Sequence, residues 1–246
     1  MEKERVVENN VCIYCLAHCT ELTTDHVIPR SWYPDSSPKG IWKFQVPSCK
    51  KCNNYYSKIE QNLLLKLGMC LNRSDIKCAG VPQKVMRSLS PGAGKNYRDS
   101  KARLRKREEI KRAIKEIPRR LPYGILPNFG SSLVSTETAA AIKVEEHNLM
   151  EFAKKLVRGV TYILSSSLIY NDDQIEVLVC EQGKANEFEA IIRKFGKKHS
   201  LAPGLNVSYV AAADCPEALM IRIEIWSRLI FYCFVHPPPR DRAGTN

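Results

Sequence analysis

Cys12 and Cys15 form one Cys-x-x-Cys pair and Cys49 and Cys52 form a second, with 33 residues between Cys15 and Cys49. Two such pairs supply the four thiolates that a tetrahedral zinc ion takes at about 2.3 Å. Four sulfurs close the coordination shell, so this zinc is expected to be structural and to staple residues 12–52 into one small unit. Cys19 and His18 stand close enough in sequence to replace Cys15. Between and just after the pairs lie Asp25, His26 and Asn53. Asp25 and Asn53 offer hard oxygen ligands suited to Mg²⁺ or Mn²⁺, with water and phosphate filling the remaining positions. A neutral imidazole at His26 can take a proton from a water attacking phosphorus. A lone Asp-His pair is more often a surface turn, and its place inside the stapled unit is what raises its significance.

Short elements must hold these residues. Around Asp25-His26 the run TTDHVIP, and before Cys49 the run KFQVPSC, have the β-branched and aromatic content of two short strands. The proline- and glycine-containing stretch RSWYPDSSPKGIW between them is expected to be a long loop. After Cys52, Tyr56, Ile59, Leu63 and Leu67 recur at spacings of three and four, one face of an amphipathic helix with Asn53 in its first turn. Glu60 falls on the same helix and is expected to be a solvated carboxylate. Trp32, Tyr33 and Trp42 more simply cap a small core than stack on bases. Lys50 and Lys51, on the second knuckle, and Arg30 are candidates for phosphate contacts.

The motif string CIYC…TTDHVIPRSW…VPSCKKCNN, over about residues 12–60, resembles the HNH endonucleases, in the branch whose ββα-metal core is stapled by two Cys-x-x-Cys knuckles. The resemblance implies that Asp25 and Asn53 bind one divalent cation and that His26 is the general base. It also implies that the cation stabilises the oxygen leaving phosphorus, giving 5′-phosphate and 3′-hydroxyl ends. The family's central Asn, which orients the base, has no counterpart between Val27 and Cys52. Lys39 and Gly40 stand in that loop, and Gln45 is the amide available to substitute.

Charge narrows the partner. The 246-residue chain carries a net +12, and the excess is local. Residues 1–66 have nine basic and seven acidic side chains, a net of +2; residues 67–125 have sixteen and five, a net of +11; residues 126–246 have thirteen and fourteen, a net of −1. A confined positive block fits a polyanion, with DNA the expected partner. Its centre is the stretch DSKARLRKREEIKRAIKEIP, where Ile110, Ala113, Ile114 and Ile117 form an apolar stripe and Pro118 is expected to stop a helix near Ile117. Lys101, Arg103, Arg105, Lys106, Arg107, Lys111 and Arg112 decorate its other faces as candidate phosphate contacts.

The expected fold class is α+β: an HNH-like domain over 1–66, a basic helical and linker segment over 67–134, an α+β domain over 135–236 and a disordered tail over 237–246. In the third region a helix is expected from Thr138 to Leu168, then a strand (QIEVLVCE), a helix (ANEFEAIIRKFGKK) and the β-rich runs NVSYVAAA, ALMIRIEIW and RLIFYCFVH. The last two read as one bent strand or a hairpin. This region shows no catalytic pattern and is the place for DNA recognition, a homodimer contact or a protein partner. The remaining cysteines (70, 78, 180, 215 and 233) read as small buried hydrophobes. With no run of 18 apolar residues and a polar, charged start, the chain is expected to be cytoplasmic and to cross no membrane. Two further readings stay open: a decayed nuclease core that binds nucleic acid without cutting, and a regulatory protein acting through a partner.

Overall fold

A computed structural model describes residues 10–118, 138–178 and 182–237. Strand β1 (Thr23–His26) pairs antiparallel with β2 (Gln45–Ser48), Asp25 opposite Val46 and His26 opposite Gln45. Helix α1 (Lys50–Met69) follows at once. Cys49 caps it, its Sγ accepting from the Cys52 N–H at 3.4 Å. Tyr56, Ile59, Leu63 and Leu67 are all buried, as their periodicity requires. Helix α2 (Val81–Ser88) lies against α1, and a Cβ on Gly68 would meet Val85 Cγ2 at 2.7 Å, so only glycine allows this crossing.

Helix α3 (Tyr97–Ala113) carries the basic stretch and begins at Asn96, whose side chain accepts from the Asp99 N–H. It ends four residues before Ile117. Ile114–Pro118 form strand β3, antiparallel to β4 (Thr138–Ile142). The apolar stripe expected to continue the helix therefore splits: Ile110 is buried on α3, whereas Ile114 is exposed at the start of β3. The expected long helix from Thr138 is likewise divided. Residues 138–142 contribute backbone to a sheet, and helix α4 (Glu146–Ser165) starts later, with Phe152, Leu156 and Val160 buried. In both places inter-strand pairing overrides local helix preference. The linker sequence 121–132 and the tail from residue 238 lie outside the described residues, as does Cys180.

Strand β5 (Ile175–Leu178) leads to α5 (Gln182–Phe195) and then to β6 (Lys197–Ala202), β7 (Leu205–Ala211), β8 (Leu219–Ile225) and β9 (Leu229–Val235). The five strands form one antiparallel sheet in the order β5-β9-β8-β7-β6, and β8 and β9 are a hairpin. Strand β6 was not expected: its first four residues are polar and exposed at the sheet edge, so it lacks the alternation that reveals a strand. Strand β8 alternates cleanly, with Leu219, Ile221, Ile223 and Ile225 buried. That face packs on α4 and on the first hairpin, while Phe188 and Ile192 of α5 cover the other through Tyr232. A single apolar cluster runs from Cys12 to Val235, joining the four-cysteine unit to the sheet. At its centre Trp32 stacks on Trp226, ring centroids 4.8 Å apart, and the Trp226 indole N–H donates to the Trp32 carbonyl at 2.8 Å. The class is α+β, and among the described residues no helix is long and apolar enough to cross a membrane.

Candidate metal centre and active site

The sulfurs of Cys12, Cys15, Cys49 and Cys52 all lie within 4.8 Å of one another. The first knuckle is a tight turn: the Leu16 N–H donates to the Cys12 carbonyl, and Leu16 adopts a left-handed backbone. It is tied to β2 by the Ile13 N–H on the Pro47 carbonyl. The second knuckle is the N-terminal turn of α1. Burial raises the Cys49 thiol, but the Cys52 N–H and the neighbouring thiols outweigh it and bring its pKa down to about 7. Burial and the same neighbours push Cys52 far up. Four thiolates this close repel one another, and a dication is what reverses that balance. The cluster fits a zinc ion. Cys19 lies at the margin of the group, its thiol raised by burial and by the charge of Cys49 and Cys12.

Strand alternation turns Asp25 and His26 to opposite faces of β1. Asp25 points inward and is buried. Its Oδ2 accepts from the Tyr14 hydroxyl at 2.8 Å and meets Lys155 Nζ, from α4, at 2.9 Å. Lys155 is wholly buried. Its ammonium also donates to the His26 carbonyl at 2.8 Å and to Glu60 Oε1, and it lies over the rings of Tyr14 and Tyr56. Glu60 is thus a partly buried partner of Lys155, not the solvated carboxylate its position suggested. Burial raises its pKa, with Lys155 pulling in the opposite direction. Burial and the Asp25 charge push the Tyr14 phenol well up, which keeps it a donor.

Asn53 belongs to the Asp25 side of the strand. Its Nδ2 donates to Thr23 Oγ1 at 3.1 Å, and Thr23 shares a strand face with Asp25 two residues on. Asp25 and Asn53 thus lie on one side of the strand, each with an oxygen of the type a hard cation takes.

On the other face His26 meets Gln45. The two are cross-strand partners, and Gln45 Nε2 lies 2.9 Å from His26 Nε2. A half-turn of the amide exchanges its ends. With nitrogen toward the ring, His26 Nε2 accepts; with oxygen toward it, Nε2–H donates and Nδ1 is left as a base. Burial lowers the His26 pKa, the Arg30 guanidinium lowers it further, and Lys155 and Lys43 add to this against the opposing pull of Asp25. The imidazole is therefore neutral at neutral pH, with cationic side chains close by.

Neither family models, curated proteins nor solved structures match this chain.

The other candidates divide by environment. Arg30, Lys50 and Lys51 are exposed beside the hairpin and the second knuckle. Trp32 and Tyr33 are buried, the core role their loop position suggested, whereas Trp42 is 63% exposed. On α3, Lys101, Arg105, Lys111 and Arg112 are exposed, and Lys106 and Arg107 are partly so. Arg103 is engaged within the protein: its Nε meets Asp99 at 3.1 Å and its NH1 donates to the Arg87 carbonyl at 2.6 Å. Lys111 pairs with Glu108 at 3.3 Å. Tyr97, 81% exposed, forms a shallow hollow with Arg98, Lys101, Ala102 and Arg105. Sequence reasoning passed over Tyr14 and Lys155. Lys155 did leave a signal: it falls inside the apolar stripe Phe152, Leu156, Val160, where a cation demands a partner.

Proposed function

We propose that the chain is a metal-dependent endonuclease of the HNH type that hydrolyses DNA phosphodiester bonds. The observation that carries this reading is His26: a partly exposed imidazole 2.9 Å from the Gln45 amide, on a hairpin joined to the four-cysteine cluster, with burial and the Arg30 and Lys43 cations lowering its pKa. In this reading the exposed cations draw a phosphate to the imidazole. Gln45, its oxygen on Nε2–H, fixes the ring so that Nδ1 takes a proton from the attacking water. One Mg²⁺ or Mn²⁺ ion held by Asp25 and Asn53 would stabilise charge on the leaving oxygen. Gln45 fills the place of the missing central Asn from the neighbouring strand. The exposed Lys and Arg of α3 supply affinity that falls with salt.

Lys155 favours a second reading. An ammonium already matched to Asp25 lowers that carboxylate's pull on a divalent cation, as in a core that binds DNA without cutting it. Nicking of supercoiled plasmid by the zinc-loaded protein separates the two. Relaxed circles in Mg²⁺ or Mn²⁺, abolished by EDTA and by His26→Ala, are the expected result. Intact plasmid bound by zinc-loaded protein would establish the binding-only reading instead.

A further inference from the structure

The proposed site is completed from a distant part of the chain by one helix. Lys155 and Gly159 are four residues apart on α4 and so share a face. A Cβ on Gly159 would stand 2.5 Å from Val27 Cγ2, so the α4 backbone is pressed against the residue that follows His26. One turn away, the Lys155 ammonium reaches Asp25, Glu60 and the His26 carbonyl together. Two carboxylates and one ammonium leave this buried cluster a net charge of −1. A dication on the Asp25 carboxylate would lie close to a fixed positive charge, since Lys155 Nζ stands 2.9 Å from Oδ2. Its other protein ligand in that reading, Asn53, is neutral.

Resting on the endonuclease reading, we infer that Lys155 is a positioning residue that makes divalent-cation binding depend on DNA. Its ammonium holds Asp25 and the His26 backbone in place. It also reduces the protein's own negative charge so far that a scissile phosphate must supply the ligand that retains the cation. The free protein then carries zinc but no second metal, and the site is assembled only on its substrate. No reactive metal centre is exposed between encounters.

Mn²⁺ binding by the full-length, zinc-loaded protein tests this, read from loss of the free-ion electron paramagnetic resonance signal. The measurement is made on protein alone, on a short DNA duplex alone and on the mixture. The expected result is weak uptake by the protein alone and about one additional Mn²⁺ per chain in the mixture, above the sum of the parts. Lys155→Met should strengthen uptake by the free protein at least about ten-fold, because one unit of repulsion is removed. Glu60→Gln, which keeps Lys155 and leaves the cluster neutral, should weaken uptake by the mixture by a similar factor and serves if the Met variant does not fold. Equally tight uptake with and without duplex overturns the inference while leaving the endonuclease reading standing. So does a folded Lys155→Met protein whose uptake is unchanged. Absence of Mn²⁺ uptake in the mixture, with no plasmid nicking, overturns the endonuclease reading and the inference with it.

Discussion

Residues 11–52 and residues 197–235 hold their shapes by different means. The first stretch has two strands of four residues each, joined by loop and one 3-10 turn, and its two knuckles meet at the four-cysteine cluster. The second has four strands of six or seven residues, of which β7, β8 and β9 pair in unbroken register and share a largely buried apolar face. A short hairpin gains little from pairing alone, whereas a sheet of several strands with a covered face is self-sufficient. The candidate site sits on the weaker scaffold, and the rest of the chain reaches over to it, helix α4 through Lys155 and the sheet through Trp226.

Withholding zinc should have the largest effect. Structural zinc contributes on the order of 10–16 kcal/mol to small units of this type. Chelation, or Cys49→Ser, should release about one zinc per chain and expose the β1 and β2 amides to hydrogen exchange while β7, β8 and β9 stay protected. Simultaneous loss of protection in both regions would mean that they unfold as one unit and that the contrast is false.

His26→Ala tests the chemistry without touching the scaffold. Cleavage should fall by roughly 10²–10⁴-fold, with zinc content and melting temperature unchanged. The pH profile carries a sign. As the proposed base His26 would work in its neutral form, and its pKa is lowered, so the rate should rise with pH through a midpoint below the ordinary value of about 6.5 and stay level above it. A midpoint above that value would point to a different base.

The joint between the regions comes next. Trp226→Ala removes the stack on Trp32 and the hydrogen bond to its carbonyl, and should cost about 3–5 kcal/mol in thermal or denaturant unfolding. If the two regions are held independently, added zinc should still restore protection to the first hairpin. A smaller effect is expected for Gln45→Ala: about ten-fold in kcat, little change in KM, and rescue by Gln45→Asn only if the shorter amide still reaches Nε2.

The two regions also differ in how much the sequence disclosed. Spacing alone located the four cysteines, because two Cys-x-x-Cys pairs match a tetrahedral site however far apart they stand in the chain. The α1 stripe was equally plain, since Tyr56, Ile59, Leu63 and Leu67 repeat at the helical period and are buried. What escaped was tertiary. Lys155 is a lysine in an apolar stripe, and nothing local says that Asp25, 130 positions earlier, is its partner. Gln45 became meaningful only through the register that sets it opposite His26. The ends of two helices were misjudged for the same reason, because Ile114–Pro118 and Thr138–Ile142 become strands by pairing with each other.

Helix α3 offers the finest test, since it separates charge used inside the protein from charge left for a partner. Lys101 and Arg105 are exposed, four residues apart, and flank Tyr97. Each substitution to Ala should lower the slope of log affinity for DNA against log salt by about 0.9, with stability unchanged. Arg103 lies on the same helix but is held by Asp99 and the Arg87 carbonyl. Its replacement by Ala should leave the salt slope nearly unaltered and instead cost about 1 kcal/mol of stability, by releasing the start of α3 from the end of α2. Equal slope changes for all three would show that Arg103 leaves its internal partners when DNA binds, and that α3 moves on its support.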